Sequence, residues 1–499
     1  MLTELPSAES AARWLGERVR GSLWSDSRAL RAGDGFIAWR GERHDARRFV
    51  ADALRAGAGA CLVDAAGSAG FGFDDARIAA LPDLRRQAGA VAGEFFGRPS
   101  TRLSMVASTG TNGKTSTTWW TAQALQALHA RCAVIGTLGV GEPPALDDTG
   151  LTTPDAVAMQ RALHQLLAQG FSACAVEASS IGLQQHRLAG THFDVALFTN
   201  LTQDHLDYHG TMTAYWAAKR ALFDSPGLRS AVINIDDEHG AALAGELAGA
   251  GAARQLALWT CSVRRPASLR AGKLRYEADG LAFDVHEGAE RAAVRSRLIG
   301  DFNVGNLLLV IGALRTLGHP LQAAAAVLSS LSPVPGRMQR VAAPAAAAPQ
   351  VVVDYAHTPD ALDKALRALR PFAAARGGRL WCVFGCGGNR DAVKRPLMGA
   401  IAVKRADEVV LTSDNPRDES AHAILAQILA GITGHGEVAV IEDRREAVAD
   451  ALRRCADADV VLIAGKGHEA WQEIKGVKRP FSDAAEAAAA LQRRCGGGA

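Results

Sequence analysis

The string STGTNGKT at 108–115 joins a short apolar run, 105–107, to a helical pattern that passes through Trp119 and Ala122. A glycine turn that opens a helix aims backbone N–H groups at phosphate, while a lysine adds positive charge and a hydroxyl can reach Mg2+. Lys114 and Thr115 are placed for those two tasks. The string departs from the common G-x-x-x-x-G-K-[ST] pattern at Ser108, which stands where the first glycine belongs. An ordinary strand-to-helix turn is the competing reading, and the full TGTNGKT string favours phosphate. Two further apolar runs end in metal-binding residue types: 173–176 leads into Glu177, and 195–198 leads through TNLTQD into His205. Ligands of open α/β sheets lie beyond the carboxyl ends of the strands, so both side chains are delivered to the edge that carries the Lys114 loop. Each also reads as a solvated cap, and the two readings stand level.

The elements that must hold these groups alternate along the chain. Strand candidates at 105–107, 173–176, 195–198, 231–235, 351–353, 380–384, 408–411 and 460–463 are separated by alanine-rich helical stretches. That alternation predicts α/β layers built on parallel sheets. At 499 residues the chain is long enough for about three domains. Gly97-Arg98-Pro99-Ser100 and Ser332-Pro333-Val334-Pro335-Gly336 interrupt the helical pattern, which divides the chain into 1–98, 99–335 and 336–499. The alanine-rich stretch 342–349 reads as a surface loop between two strands of the last domain.

Hydrophobic residues make up 48% and charged residues 21%, a globular composition that excludes wholesale disorder and coiled coil. A formal net charge of +3 gives no whole-chain call for nucleic acid or an anionic membrane. The longest greasy stretch, 307–314, stops at Arg315, short of the roughly 18 residues of a membrane span. The opening MLTELPSAES has neither a basic nor an apolar leader segment, so the expected compartment is the cytoplasm. Eight scattered cysteines, with Cys382 and Cys386 lacking a second pair, give no zinc spacing.

Taken in order, TGTNGKTS, EASSIGLQQHR, TNLTQDHLDYHGTMTAYWAAKRALF, GDFNVGNLL, GRMQRV, DYAHTPDAL, GCGGNRDAVKRPLMG, SDNPRDE and AGKGHE span nearly the whole chain, and together they resemble the Mur ligases of peptidoglycan synthesis. The resemblance implies a central P-loop ATPase domain with a mostly parallel sheet. An N-terminal UDP-binding α/β domain and a C-terminal Rossmann-like α/β domain flank it. It also implies ATP-dependent amide synthesis through an acyl phosphate: meso-2,6-diaminopimelate is joined to the D-Glu side-chain carboxylate of UDP-N-acetylmuramoyl-L-Ala-D-Glu. Such chemistry is mostly a matter of holding anions together and neutralising transferred charge.

Residue by residue, the resemblance assigns Gly110, Thr111, Asn112, Gly113, Lys114, Thr115 and Ser116 to the ATP phosphates. Thr115, Glu177 and His205 go to Mg2+. Lys219 matches a lysine that these enzymes carbamylate with CO2, giving N6-carboxylysine. By residue type alone it is a solvated helix lysine, yet attack on CO2 needs a neutral amine, which burial would favour. Asn303 and Asn306 are spaced to share a helix face near the adenine, although Asn303 reads equally as an N-cap. Arg337 and Asp354 come to ATP from the last domain, with His357 in the same block. Ser25, Ser27, Glu42, Arg43 and His44 match uridine-diphosphate contacts. Thr152, Thr153, Ser179, Gln185 and Arg187 match groups that hold the muramoyl dipeptide.

The amino-acid pocket is assigned to Arg390, Asp414, Asn415, Pro416, Arg417, Gly465 and Glu469. Its arginines would pair carboxylates and its acids would take ammonium. Standing alone, SDSR, DNPR and GGNRD are turns. A lysine-adding relative and a folylpolyglutamate-type ligase are the alternatives, the first opposed by Arg417 and the second by the SDSR and GERHD strings. A P-loop switch without bond-forming chemistry leaves the flanking domains unexplained. A monomer without nucleic-acid or membrane partners is expected.

Overall fold

A computed structural model describes residues 2–42, 44–277, 280–343, 348–433 and 438–496. Arg43, a candidate uridine contact, and residues 344–347 of the alanine-rich stretch lie outside the described residues.

Three main sheets carry the fold. The first is parallel throughout, running Thr3–Glu4, Ile78–Leu81, Ala60–Asp64, Gly35–Ala38 and Leu23–Trp24 from edge to edge. The second has a parallel centre ordered Cys132–Gly136, Ala173–Glu177, Ser104–Thr109, Val195–Phe198, Ser230–Asn234 and Ala257–Ser262, with antiparallel strands added at both ends. The third places Gln350–Asp354, Val460–Ala464, Leu380–Phe384 and Glu408–Leu411 side by side in parallel. The short strand Gln339–Arg340 pairs antiparallel with Gln350–Asp354 across the alanine-rich stretch.

Strands covered by helices on both faces are buried on both, which is why continuous apolar runs such as LWCVF form them. Helix Phe302–Thr316 is apolar on every side and almost wholly buried, because it packs both on the second sheet and on helix Lys114–Ala127. Arg315 ends that greasy stretch by forking onto Glu287 at 2.7 and 2.8 Å. The seven cysteines with described side chains are free and buried. Among the described residues no helix is long and apolar enough to cross a membrane.

The first and second sheets are fastened by helix Leu84–Phe95. Gly89 and Gly190 meet backbone to backbone there, and a Cβ on either would run into the other segment. Val157 of the central region completes the core under the first sheet. The last sheet is joined through residues 331–338, which contain no long element.

Candidate functional site

Strand Ser104–Thr109 has a parallel neighbour on each side, so the chain leaves it in both directions and opens a crevice beyond its carboxyl end. Residues 110–113 form the floor of that crevice. Gly113, at φ 90°, caps helix Lys114–Ala127, and a Cβ there would lie 2.7 Å from Asn306 Oδ1. Lys114 opens the helix and folds its ammonium onto the carbonyls of Gly110 and Thr111 at 2.9 and 2.8 Å. Burial lowers its pKa against the pull of Glu177 and Asp204.

Thr115 donates its hydroxyl to Glu177 Oε2 at 2.9 Å. The Glu177 carboxylate is fully buried at its strand end, with Thr137 donating its N–H to the other oxygen at 2.8 Å. Glu177 is therefore a held group and not a solvated cap. Lys219 arrives from helix Met212–Arg220 and is 1% exposed. It donates to the Gly110 carbonyl at 2.6 Å and sits 4.4 Å from the Tyr215 ring centre. Burial, then the charge of Lys114, drives its pKa well below the ordinary lysine value. The solvated helix lysine that its residue type suggests is not what forms.

His205 adopts φ 52°, with Nε2 3.5 Å from Asp204 Oδ2. His357, from the last sheet, approaches the same oxygen at 4.0 Å. Burial alone would raise Asp204, but His357, His205 and Lys394 outweigh it and leave its pKa lowered. Burial lowers His205 and takes His357 down to about 4. Asp204 went unnoticed in the sequence, although it stands next to His205.

Arg337, Asp354, His357 and Lys364 supply the far wall of one cleft, shared with residues 111–116, Lys219 and Asn303. Asp354 accepts the N–H groups of Met338 and Ala356 at 2.7 and 2.8 Å, and burial raises its pKa against Arg337. The Arg337 guanidinium stacks 4.2 Å over Tyr355. Asp360 accepts from Asn112 of the phosphate loop at 3.1 Å and from Lys364 at 2.8 Å, so the last sheet's first helix touches that loop directly. Asn303 is not an N-cap, because Asp301 takes that place. Asn303 instead accepts from Asn306 at 3.0 Å on the shared helix face.

Beside this cleft Arg187 donates to the Thr153 carbonyl at 2.8 Å and forks onto Gln185 Oε1. Thr153 bonds Ser179 at 2.9 Å, and Thr152 bonds Thr137 at 3.0 Å. Gln185 donates to the Tyr208 hydroxyl at 3.0 Å, which in turn donates to Glu42 of the first sheet at 2.8 Å. Tyr208 thus links two regions that the sequence reading kept apart, and nothing in its residue type signalled this. Ser25 and Ser27 follow strand Leu23–Trp24 and are partly exposed, while His44 is exposed. None of the first-sheet residues lines the cleft itself.

The proposed amino-acid residues form a second group on the third sheet. Gly465, the 385–390 loop and Asp414 follow three adjacent parallel strands at one carboxyl edge, beside the strand that ends at Asp354. Asp414 and Asn415 are buried. A Cβ on Gly465, at φ 114°, would come within 2.6 Å of Asp414 Oδ2. Asn415 donates to Glu469 at 2.7 Å, and Pro416 carries the turn to Arg417. Arg417 lies beside Gly387 and donates to the Gly388 carbonyl at 2.8 Å, with exposed Arg390 near the same glycine. Arg444, fully buried with its partner Asp483, donates to that carboxylate and to the carbonyls of Ser413 and Ala464 behind this edge.

Among the described residues no three His, Cys, Asp or Glu side chains converge into a ready-made metal cage. The oxygens of Thr115 and Glu177 facing the phosphate loop still fit Mg2+. That ion keeps several waters and takes one or two carboxylates together with substrate phosphates.

A phosphate loop walled on its far side by a separate α/β layer is the build of a nucleotide-dependent ligase. The chain matches the Mur ligase middle domain over residues 109–314 and the Mur ligase, glutamate ligase domain over 336–467. It is 55% identical to a relative from Acidovorax sp. (strain JS42), covering 99% of each chain, and 47% identical to one from Janthinobacterium sp. (strain Marseille), covering 96% of each. A solved structure at 38% identity aligns with a TM-score of 0.68 over 95% of both chains. All three carry the name UDP-N-acetylmuramoyl-L-alanyl-D-glutamate--2,6-diaminopimelate ligase. The chain belongs to the Mur ligase family.

Proposed function

We propose that this ligase joins meso-2,6-diaminopimelate to the D-Glu side-chain carboxylate of UDP-N-acetylmuramoyl-L-Ala-D-Glu at the expense of ATP, as a cytoplasmic monomer. The reading is carried by Arg417, a part-buried guanidinium on the same loop as buried Asp414 and as Asn415, which bonds Glu469, in a chain 55% identical end to end to a relative of that name. Diaminopimelate presents an ammonium and a carboxylate at each end, whereas lysine has no distal carboxylate to pair with the part-buried Arg417. The working units are residues 1–98, 99–335 and 336–499. In the first, Ser25, Ser27, Glu42, Arg43 and His44 take the uridine diphosphate.

The D-Glu carboxylate attacks the γ-phosphorus of ATP, ADP leaves, and an acyl phosphate forms. The free amine of diaminopimelate then attacks the acyl carbon, its proton departs, and inorganic phosphate is expelled. The loop N–H groups and Lys114 hold the phosphates. Arg337 and Asp354 bind the nucleotide from the last layer, with Asn303 on the adenine side. Thr152, Thr153, Ser179, Gln185 and Arg187 fix the dipeptide so that its carboxylate faces the nucleotide, and Arg390 and Arg417 orient the incoming amino acid. Mg2+ held by Thr115, Glu177, His205 and carbamylated Lys219 would offset the phosphoryl charge. Lys219 is suited to carbamylation because burial favours its neutral amine. The amine nitrogen bonds to CO2 carbon, a proton leaves, and a carboxylate results.

The test is phosphate release in the presence of Mg2+ and bicarbonate, with each substrate omitted in turn, followed by mass spectrometry of the product made from diaminopimelate and lysine in competition. Joint dependence on the uridine dipeptide and diaminopimelate, with the diaminopimelate adduct dominant, is expected. A lysine adduct of equal or greater yield would overturn the amino-acid assignment.

A further inference from the structure

Strands Trp471–Ile474 and Val477–Pro480 form a hairpin of their own, outside the third sheet. Its first strand is fastened to the 413–417 loop along its length. Gln472 Nε2 donates to Ser413 Oγ at 3.0 Å and to the Asp414 carbonyl at 2.7 Å. The Glu473 N–H donates to Asn415 Oδ1 at 2.9 Å. Arg417 donates its N–H to the Glu473 carbonyl at 3.1 Å, and Lys475 donates back to the Arg417 carbonyl at 2.7 Å, so that Arg417 and Ile474 are bridged in parallel.

The loop depends on this support in two ways. Arg417 takes φ 52°, a conformation that residues with side chains rarely adopt and that both its backbone groups hold in place through the hairpin. Asn415 is held by the protein at both amide atoms: its oxygen also accepts from fully buried Lys466 at 3.1 Å, and its nitrogen donates to Glu469. Asn415 therefore ties the hairpin to the two charged residues of the AGKGHE string. The Arg417 guanidinium, in contrast, is held loosely, by the Gly388 carbonyl and by Glu473 at 3.6 Å. It remains available to a carboxylate, and a two-bond fork onto carboxylate demands that its base stay fixed.

We propose that the 471–480 hairpin is the specificity element of the amino-acid pocket, with Gln472 as the positioning residue that aims Arg417 at the second carboxylate of a diamino dicarboxylic acid. This rests on the amino-acid reading given above. Gln472 acts through the loop and does not touch the substrate.

The full chain carrying Gln472→Ala or Gln472→Glu is assayed for phosphate release with each substrate varied in turn, alongside thermal unfolding. Gln472→Ala is expected to raise KM for meso-diaminopimelate about tenfold, the scale of one or two lost hydrogen bonds. KM for ATP and for the uridine dipeptide, and the unfolding midpoint, stay at wild-type values. Gln472→Glu keeps the volume but turns an acceptor toward the Asp414 carbonyl, so its loss equals or exceeds that of alanine. A Glu variant that behaves as wild type while Ala fails would reduce Gln472 to space-filling and overturn the proposal, as would equal losses for all three substrates. Undiminished variants beside a diaminopimelate-dependent wild type overturn the hairpin proposal alone. A wild type that releases no phosphate with diaminopimelate overturns the amino-acid reading and the hairpin with it.

Discussion

Replacing Gly113 by alanine should weaken nucleotide binding through two separable costs. Gly113 sits at φ 90°, and placing an L side chain in left-handed backbone costs about 1–2 kcal/mol. The new Cβ would also press on Asn306 Oδ1 and dislodge that amide from its 3.0 Å bond to Asn303, a further loss of about 1 kcal/mol. Free of nucleotide, the loop relieves both by relaxing away from the shape that presents its N–H groups to phosphate. Bound nucleotide must restore that shape, so about 2–3 kcal/mol comes out of affinity, roughly 30- to 150-fold. Calorimetric titration of ADP into wild type, Gly113→Ala, Asn306→Ala and the double variant measures it. The double variant has no amide to strike, so the cycle should be non-additive by about 1 kcal/mol. Wild-type affinity in Gly113→Ala, or a strictly additive cycle, would refute the reasoning.

Tyr208→Phe removes the hydroxyl that joins Gln185 to Glu42, and should raise KM for the uridine dipeptide by about 1 kcal/mol, or roughly fivefold, with KM for ATP unmoved. Asp483→Asn leaves the buried Arg444 charge without its partner and should destabilise the last layer by about 3–5 kcal/mol, read as a lower urea midpoint for its unfolding. His357 and His468 are held down to about 4 and about 3, chiefly by burial, with Lys394 adding to the first and Arg337 to the second. The unfolded chain, with imidazoles near 6.5, therefore binds more protons below that pH, and stability should fall as pH drops from about 6.5 toward about 4. Urea midpoints at about pH 7 and about pH 5 should show the loss, and His468→Gln should lessen it; an unchanged difference would count against a buried neutral His468.

All eight apolar runs read from the sequence fall on strands, 231–235 overrunning its strand by one residue, because a strand covered on both faces must be apolar at every position. Strands Gly280–Glu287 and Glu290–Ser296 escaped that reading. They form an antiparallel pair at the sheet's end, and Asp284, His286, Arg291 and Arg295 break any continuous run. An α/β layer was expected at the N-terminus from the resemblance, but none of its strands was read from its residues: two of them, Thr3–Glu4 and Leu23–Trp24, are too short to show a pattern, while the apolar runs of Gly35–Ala38, Ala60–Asp64 and Ile78–Leu81 were overlooked. At the site, the glycines, Lys114 and Thr115 were visible because their spacing along the chain is itself the geometry that phosphate needs. Asp204, Tyr208, Lys466 and Gln472 were not, since each gains its role from a partner far away in sequence.

The glycine-on-glycine seam between Gly89 and Gly190 leaves no room for the first two layers to slide, so they move as one block. The last layer is joined to that block along the chain by residues 331–338. On the proposed function, the residues offered to the sugar nucleotide therefore stay with the phosphate loop, while those offered to the amino acid ride on the layer beyond the connector. On that function, an inhibitor reaching across the Asn112–Asp360 contact would pin the two blocks together, whereas one confined to the uridine side would touch only the first.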